Sequence, residues 1–406
     1  MEQKKKILSD SIWSIMGLVL MNVTLQFAVY PFWERRAGEA ALGNILYLIS
    51  LMNVFAVSAG VSVSYARLKR SADRTTGNSP YLVILLISTV IAALFGVLIS
   101  LFGGVEMGLS DTVIFCSVVC LTMWRYYADV EYKLSLNYRS YFLYYLFISV
   151  GYAIGLALFY VTGLWSITLL LGEAFGLAFV FIFGKVLHPE KTLDREELSE
   201  AFGLFAVLLG SEVLSTLIFN ADRILLKLVI DEVAVTEYYL ASLLGKTVAL
   251  LTSPLTGVIV GYLSKYKGEL KVKGMNIVTV LSLCLVSLGA LACTVGSYII
   301  IPILYPEQYE QVKQYFLVAN AAQVTFFVGS VITVVLLRFG KSRYQMYITA
   351  IYAITFLAVC IPFALEWGLK GFCVGLAITT AARFLVTVAL GYFTAVKNGR
   401  KKEEVK

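Results

Sequence analysis

Four charged residues stand inside long apolar stretches: Glu173, Glu212, Lys246 and Arg383. In hydrocarbon a side-chain charge costs about 2.5–3.5 kcal/mol on insertion scales, so it faces a polar cavity or an opposite charge. Lys246 and Arg383 together suit an anion drawn into such a cavity. Glu173 or Glu212 suits a coupling cation, either a proton or sodium. The competing arrangement is mutual neutralisation, in which the two cations and two anions form structural ion pairs. Asp222 and Arg223 are an adjacent acid–base pair at a helix end and fit either a solvated anchor or part of the site. Asn22 and Gln26 are one turn apart, and amides left unbonded in lipid are costly enough to turn that face inward.

Catalytic chemistry fits poorly. His188 is the only histidine, and it falls at a helix end. Cys116, Cys120, Cys284, Cys293, Cys360 and Cys373 all lie in apolar runs, and no pair has metal-ligand or extracellular-framework spacing. Free thiols and no metal are therefore expected. Gly245–Lys246–Thr247 ends like a phosphate-binding loop. The first glycine of that pattern falls on Leu240, however, and the stretch sits in an apolar helix, not after a strand. No cofactor and no enzymatic activity are expected.

The elements that position these residues follow from composition. Hydrophobic residues make up 59% of the 406 and charged residues 15%, with a mean hydropathy of +0.82. A soluble domain carries roughly 25% charged residues, so much of this surface faces something other than water. A hydrocarbon layer about 30 Å thick needs about 20 apolar residues per helix. Twelve such spans are legible, at 10–32, 43–66, 80–102, 110–128, 141–161, 164–187, 201–221, 238–262, 275–301, 315–337, 344–365 and 371–395. None alternates with period two, as a barrel strand does. The first is too long for a signal peptide and lacks a cleavage site, so it is expected to stay as a helix.

Placing the N-terminus in the cytoplasm puts 25 of the 33 Lys and Arg on that side. Among them are Arg67, Lys69, Arg70, Arg74, Arg125, Lys133, Arg139, Lys191, Lys265, Lys267 and the tail from Lys397 to Lys406. The opposite side receives 6: Arg35, Arg36, Arg223, Lys227, Lys313 and Lys370. That asymmetry is the positive-inside rule, and it gives both termini a cytoplasmic location. The net charge of +7 is thus a topology signal, with no call for a nucleic-acid partner.

The charged linker 188–200 separates a first lobe, 1–187, from a second, 201–395, with a basic tail at 396–406. An offset of about 194 residues superposes their spans. Six spans per lobe predict parallel repeats about an axis along the membrane normal, with a cavity where they meet. Gly151/Gly155, Gly172/Gly176, Gly257/Gly261 and Gly371/Gly375 are small-xxx-small pairs that let helices approach closely. Pro254 and Pro362 are expected to kink their helices.

Residues Phe219–Lys265, FNADRILLKLVIDEVAVTEYYLASLLGKTVALLTSPLTGVIVGYLSK, resemble the polysaccharide-exporter family. There too a helix ends in an Asp–Arg-type pair, and an aromatic-rich segment leads into a helix that runs to Pro-Leu and a basic end. Residues 41–70 and 344–395, with Gly368–Leu369–Lys370–Gly371, look similar to other parts of that family. The resemblance is to a Wzx-like flippase of the multidrug/oligosaccharidyl-lipid/polysaccharide (MOP) exporter superfamily. It implies an all-α, MATE-like bundle in a bacterial cytoplasmic membrane. It also implies alternating access for polyprenyl-diphosphate-linked oligosaccharides, as a monomer among membrane lipids. The family motif reaches only Asp222 and Arg223; Lys246 and Arg383 are candidates on physical grounds. The chain has no room for the two extra helices of lipid II flippases. A cation-coupled drug antiporter of the same fold, or a membrane-embedded polysaccharide polymerase, are the alternatives.

Overall fold

In lipid no water is present to bond backbone N–H and C=O groups, so apolar runs of this length must satisfy them internally as helices. The computed structural model describes residues 2–71, 76–190, 193, 195–247, 270–341 and 343–403, and among them there is no strand. The chain divides into two compact units, Met1–Ile224 and Leu225–Lys406.

The first unit holds α1 (Glu2–Val23), a π-helical turn (Thr24–Val29), α2 (Tyr30–Ala37), α3 (Glu39–Ser71) and α4 (Ser79–Phe102). It continues with α5 (Leu109–Ala128), α6 (Val130–Ser135), α7 (Tyr138–Thr162), α8 (Ser166–Phe183) and most of α9 (Arg195–Val229). The second unit holds α10 (232–247), α11 (Val272–Leu304), α12 (Tyr309–Val312), α13 (Phe316–Phe339) and α14 (Arg343–Thr355). A second π turn (Phe356–Cys360) and α15 (Ile361–Glu403) complete it. Local chemistry sets several of these ends. Pro80 stands in the first turn of α4, where a missing N–H costs nothing. The Asn137 side chain accepts from Ser140 N to cap α7, and Gly163 closes it in the left-handed region.

Among the described residues, ten helical runs are long and apolar enough to cross a membrane. The last, Arg343–Lys397, is 55 residues long. It is broken at Trp367 (φ −124°) and Gly368 (φ +57°), between the two spans expected there. Of the expected span 238–262, residues beyond 247 lie outside the described set. So do Pro254, Gly257/Gly261, Arg74, Lys191, Lys265, Lys267 and Lys406. Pro362 lies inside this run, two residues past the π turn, so its missing N–H leaves an interior helix bond unmade. Exposed rows on α4 (Leu86, Val90, Leu94, Leu101) and α11 (Ile277, Leu281, Leu288) give the chain the surface of a multi-pass membrane protein.

In the first unit α5 packs on α3, α4 and α8, while α7 packs on α8 and α1. In the second, α13 packs on α11, α14 and α15. The α7–α8 contact is close because two of the expected glycine pairs meet across it. A methyl group on Gly155 would stand 2.6 Å from Thr168 Cα, and one on Gly151 would stand 2.5 Å from Leu171 O. Backbone atoms there cannot give way. Gly155→Val should therefore destabilise the protein by about 1–3 kcal/mol, read as a lowered midpoint of thermal unfolding in detergent. Gly203→Ala on α9, where a methyl meets nothing within 4 Å, should leave that midpoint level or raise it.

Arg67, Arg70 and Arg125, counted with the cytoplasmic basic residues, are buried at 5%, 7% and 4% exposed, Arg125 within α5.

Candidate functional site

In the first unit the α5–α8 contact brings Arg125 against Glu173, which is 3% exposed, as a direct ion pair. The Arg125 guanidinium also lies 4.2 Å from the centre of the Tyr126 ring, and Tyr144 Oη donates to its backbone carbonyl at 3.1 Å. Glu173 is thus balanced by a residue outside the four charges singled out by hydropathy. In a low-dielectric interior the pair persists because neither charge can be left alone.

The other residues of the first unit are arranged differently. Glu212 is half-buried on α9, and among the described residues no basic side chain lies within ion-pair distance of it. One turn further on, Thr216 Oγ1 accepts from Ser58 Oγ of α3 at 3.0 Å. Asp222 is buried, and one of its oxygens accepts from Arg223 N at 2.9 Å. Asn22 donates its amide to Leu18 O of its own helix at 2.8 Å, so its donor is satisfied without a partner across the bundle. Gln26 falls in the π turn, half-buried.

In the second unit α10, which carries Lys246, and α15, which carries Arg383, both hydrogen-bond to α13. Lys246 Nζ lies 5.7 Å from the centre of the Tyr238 ring, within cation–π range. Gln323 Nε2 of α13 donates to Tyr238 Oη at 2.6 Å, and Gly245 N donates to Asn320 Oδ1 of α13 at 2.7 Å. Arg383 of α15 donates to Phe326 O (2.7 Å) and Ser330 Oγ (3.0 Å), again on α13, with its guanidinium 4.1 Å from the centre of the Phe326 ring. Gln323 and Phe326 are one turn apart, about 4.5 Å along the helix axis. Two of the five guanidinium N–H groups are used in these bonds. Among the described residues no carboxylate lies within ion-pair distance of Arg383. A planar donor fork with N–H groups left outside these bonds is an arrangement that receives an anion.

Sequence reasoning missed Arg125, which stands three residues from the end of the 110–128 span. It also missed Asn320, Gln323 and Ser330. These recur at helical spacing on α13 but carry no charge to draw notice.

No protein-family profile matches the sequence, and no curated protein matches it. Solved structures do share its fold. An inward-facing multidrug resistance MATE family transporter of the MOP superfamily superposes with a TM-score of 0.65 at 14% identity, over 95% of this chain and 99% of that one. The Vibrio cholerae MATE transporter VcmN in its bent form gives 0.61 at 13% identity, over 97% and 98%. The lipid II flippase MurJ, in an inward closed conformation, gives 0.67 at 14% identity, over 95% of this chain and 86% of that one. The chain therefore has the all-helical MATE/MOP transporter fold.

Proposed function

We propose that this chain is a flippase that moves polyprenyl-diphosphate-linked oligosaccharides across a bacterial cytoplasmic membrane, with both termini in the cytoplasm. The observation that carries this reading is Arg383, held on α13 by Phe326 O and Ser330 Oγ with no carboxylate in ion-pair reach among the described residues. A diphosphate head group cannot enter hydrocarbon unaided, because desolvating unpaired charge costs many kcal/mol. Cations and donor groups inside the bundle take the place of its water, while the lipid tail stays in the bilayer. Arg223, on α9 in the first unit, is a separate candidate contact. No nucleotide-binding pattern stands in the sequence, so transport draws on an ion gradient, the membrane potential or removal of product.

A cation-coupled drug antiporter is the second reading, and Glu212 favours it: a half-buried acid, with no basic partner among the described residues, suits a cationic substrate or coupling ion. Against it, Glu173 already has its charge balanced by Arg125. A deletion strain separates the readings. Loss of the protein should make lipid-linked oligosaccharide build up on the inner leaflet, measured by extraction and by accessibility to a membrane-impermeant probe. No build-up, with altered drug sensitivity in its place, refutes the flippase.

A further inference from the structure

The corner between α5 and α6 holds an acid that the proposed transport route does not use. Asp129 is 6% exposed, and among the described residues no Lys or Arg lies within ion-pair distance of it. Tyr141 Oη of α7 donates to Asp129 Oδ2 at 3.2 Å, and Tyr145 Oη donates to the same oxygen at 3.3 Å. The two hydroxyl oxygens are 3.1 Å apart. Tyr141 and Tyr145 are themselves 5% and 1% exposed.

Three oxygens thus form a closed triangle with three edges of hydrogen-bonding length. With Asp129 ionised, the two hydroxyls supply two protons, so one edge is always unfilled. A third proton on the carboxyl fills it: Asp129 then donates to one tyrosine, that tyrosine to the other, and the second back to Asp129. None of the three edges has the shortness of a charge-assisted O–H···O bond, about 2.5–2.7 Å. A carboxylate buried without a counter-charge in direct ion-pair contact is moreover the form that a low-dielectric interior disfavours.

The surrounding charges are engaged elsewhere. Arg125, one turn earlier on α5, is bound to Glu173 of α8. Lys133 of α6 stands 5.8 Å from the centre of the Tyr65 ring of α3. Glu131 of α6 accepts from the backbone N–H groups of Lys185 and Val186. Tyr132 packs its ring on Tyr141 and Tyr144, and Tyr144 donates to the Arg125 carbonyl. Residues 12–23 of α1 carry no titratable side chain.

We propose that Asp129, Tyr141 and Tyr145 form a proton-binding site that takes one proton from water and closes the three-oxygen ring. The bound proton ties the α5–α6 corner to α7, and its release loosens that tie. Any link from this proton to transport rests on the flippase reading; the site itself does not.

The test is infrared titration of the purified full chain in nanodiscs, which needs no substrate. Only a protonated carboxyl shows the acid carbonyl stretch. At neutral pH the wild type should show such a band, displaced when the protein is made with 13C-carboxyl aspartate and lost in Asp129→Asn. Protein made with 13C-carboxyl glutamate should leave it in place, because Glu173 is ionised against Arg125. The labelled wild type needs no mutation, so a poorly folding variant does not blunt the test. Tyr145→Phe opens the ring and should shift the band position. No aspartate-derived band between about pH 5 and 9, a band unaltered in Asp129→Asn, or a band abolished by sodium at constant pH would each overturn the proposal. The deletion-strain result is independent of all three.

Discussion

Replacing Arg383 with Ala should cut export of the lipid-linked saccharide by about a hundredfold or more, while the protein remains in the membrane. Hydrogen bonds to charged groups contribute about 1.5–3 kcal/mol each. A guanidinium fork makes two, and each 1.4 kcal/mol is a factor of about ten. The fold should tolerate the change, because it strands no opposite charge: among the described residues, no acid lies within ion-pair reach of Arg383. The Phe326 carbonyl keeps a donor, Ser330 Oγ at 3.0 Å. Arg383→Lys preserves the charge but not the planar fork, so its export should fall by only about tenfold. Inner-leaflet accumulation, normalised to protein level by immunoblot, reads both variants. Undiminished export by the alanine variant would show that no anion is held there.

The second large effect is on stability. Glu173→Leu leaves the Arg125 guanidinium buried without a partner, which costs about 3–5 kcal/mol. Most of the folded protein should disappear from the membrane, seen as loss of the monodisperse peak on size-exclusion chromatography in detergent. Arg125→Met combined with Glu173→Leu removes both charges and should restore that peak, since a buried pair exchanged for packed apolar groups is often neutral. Export should return with it. A double variant that folds yet does not export would make the pair part of transport instead of a support.

The contrast between these two arginines shows what hydropathy reads and what it misses. Arg383 was legible because it interrupts a long apolar run near its middle. Arg125 stands three residues from the end of its span, where snorkelling to the interface is the default expectation. Only the packing of α5 on α8 turns it inward. The all-helical fold class was legible because the bilayer imposes one length and one backbone solution. The Gly151/Gly155 and Gly172/Gly176 spacings proved to be sites of helix contact, yet the sequence did not say that they face each other. The Asn320–Gln323–Ser330 face of α13 was invisible, since neutral polar side chains barely alter a hydropathy sum. The Asp129 triangle joins residues from two elements, and no local pattern announces such a meeting.

The Arg125–Glu173 pair also has a place in time. Arg125 leaves the ribosome about fifty residues before Glu173, which at about 5–20 residues per second is several seconds. Throughout that interval its charge has no buried counterpart, and hydrocarbon alone disfavours it by about 2.5–3.5 kcal/mol. The end of α5 must therefore wait beside water until α8 has been made. The ion pair then works as an assembly checkpoint, drawing α5 to its final depth only when both helices are present.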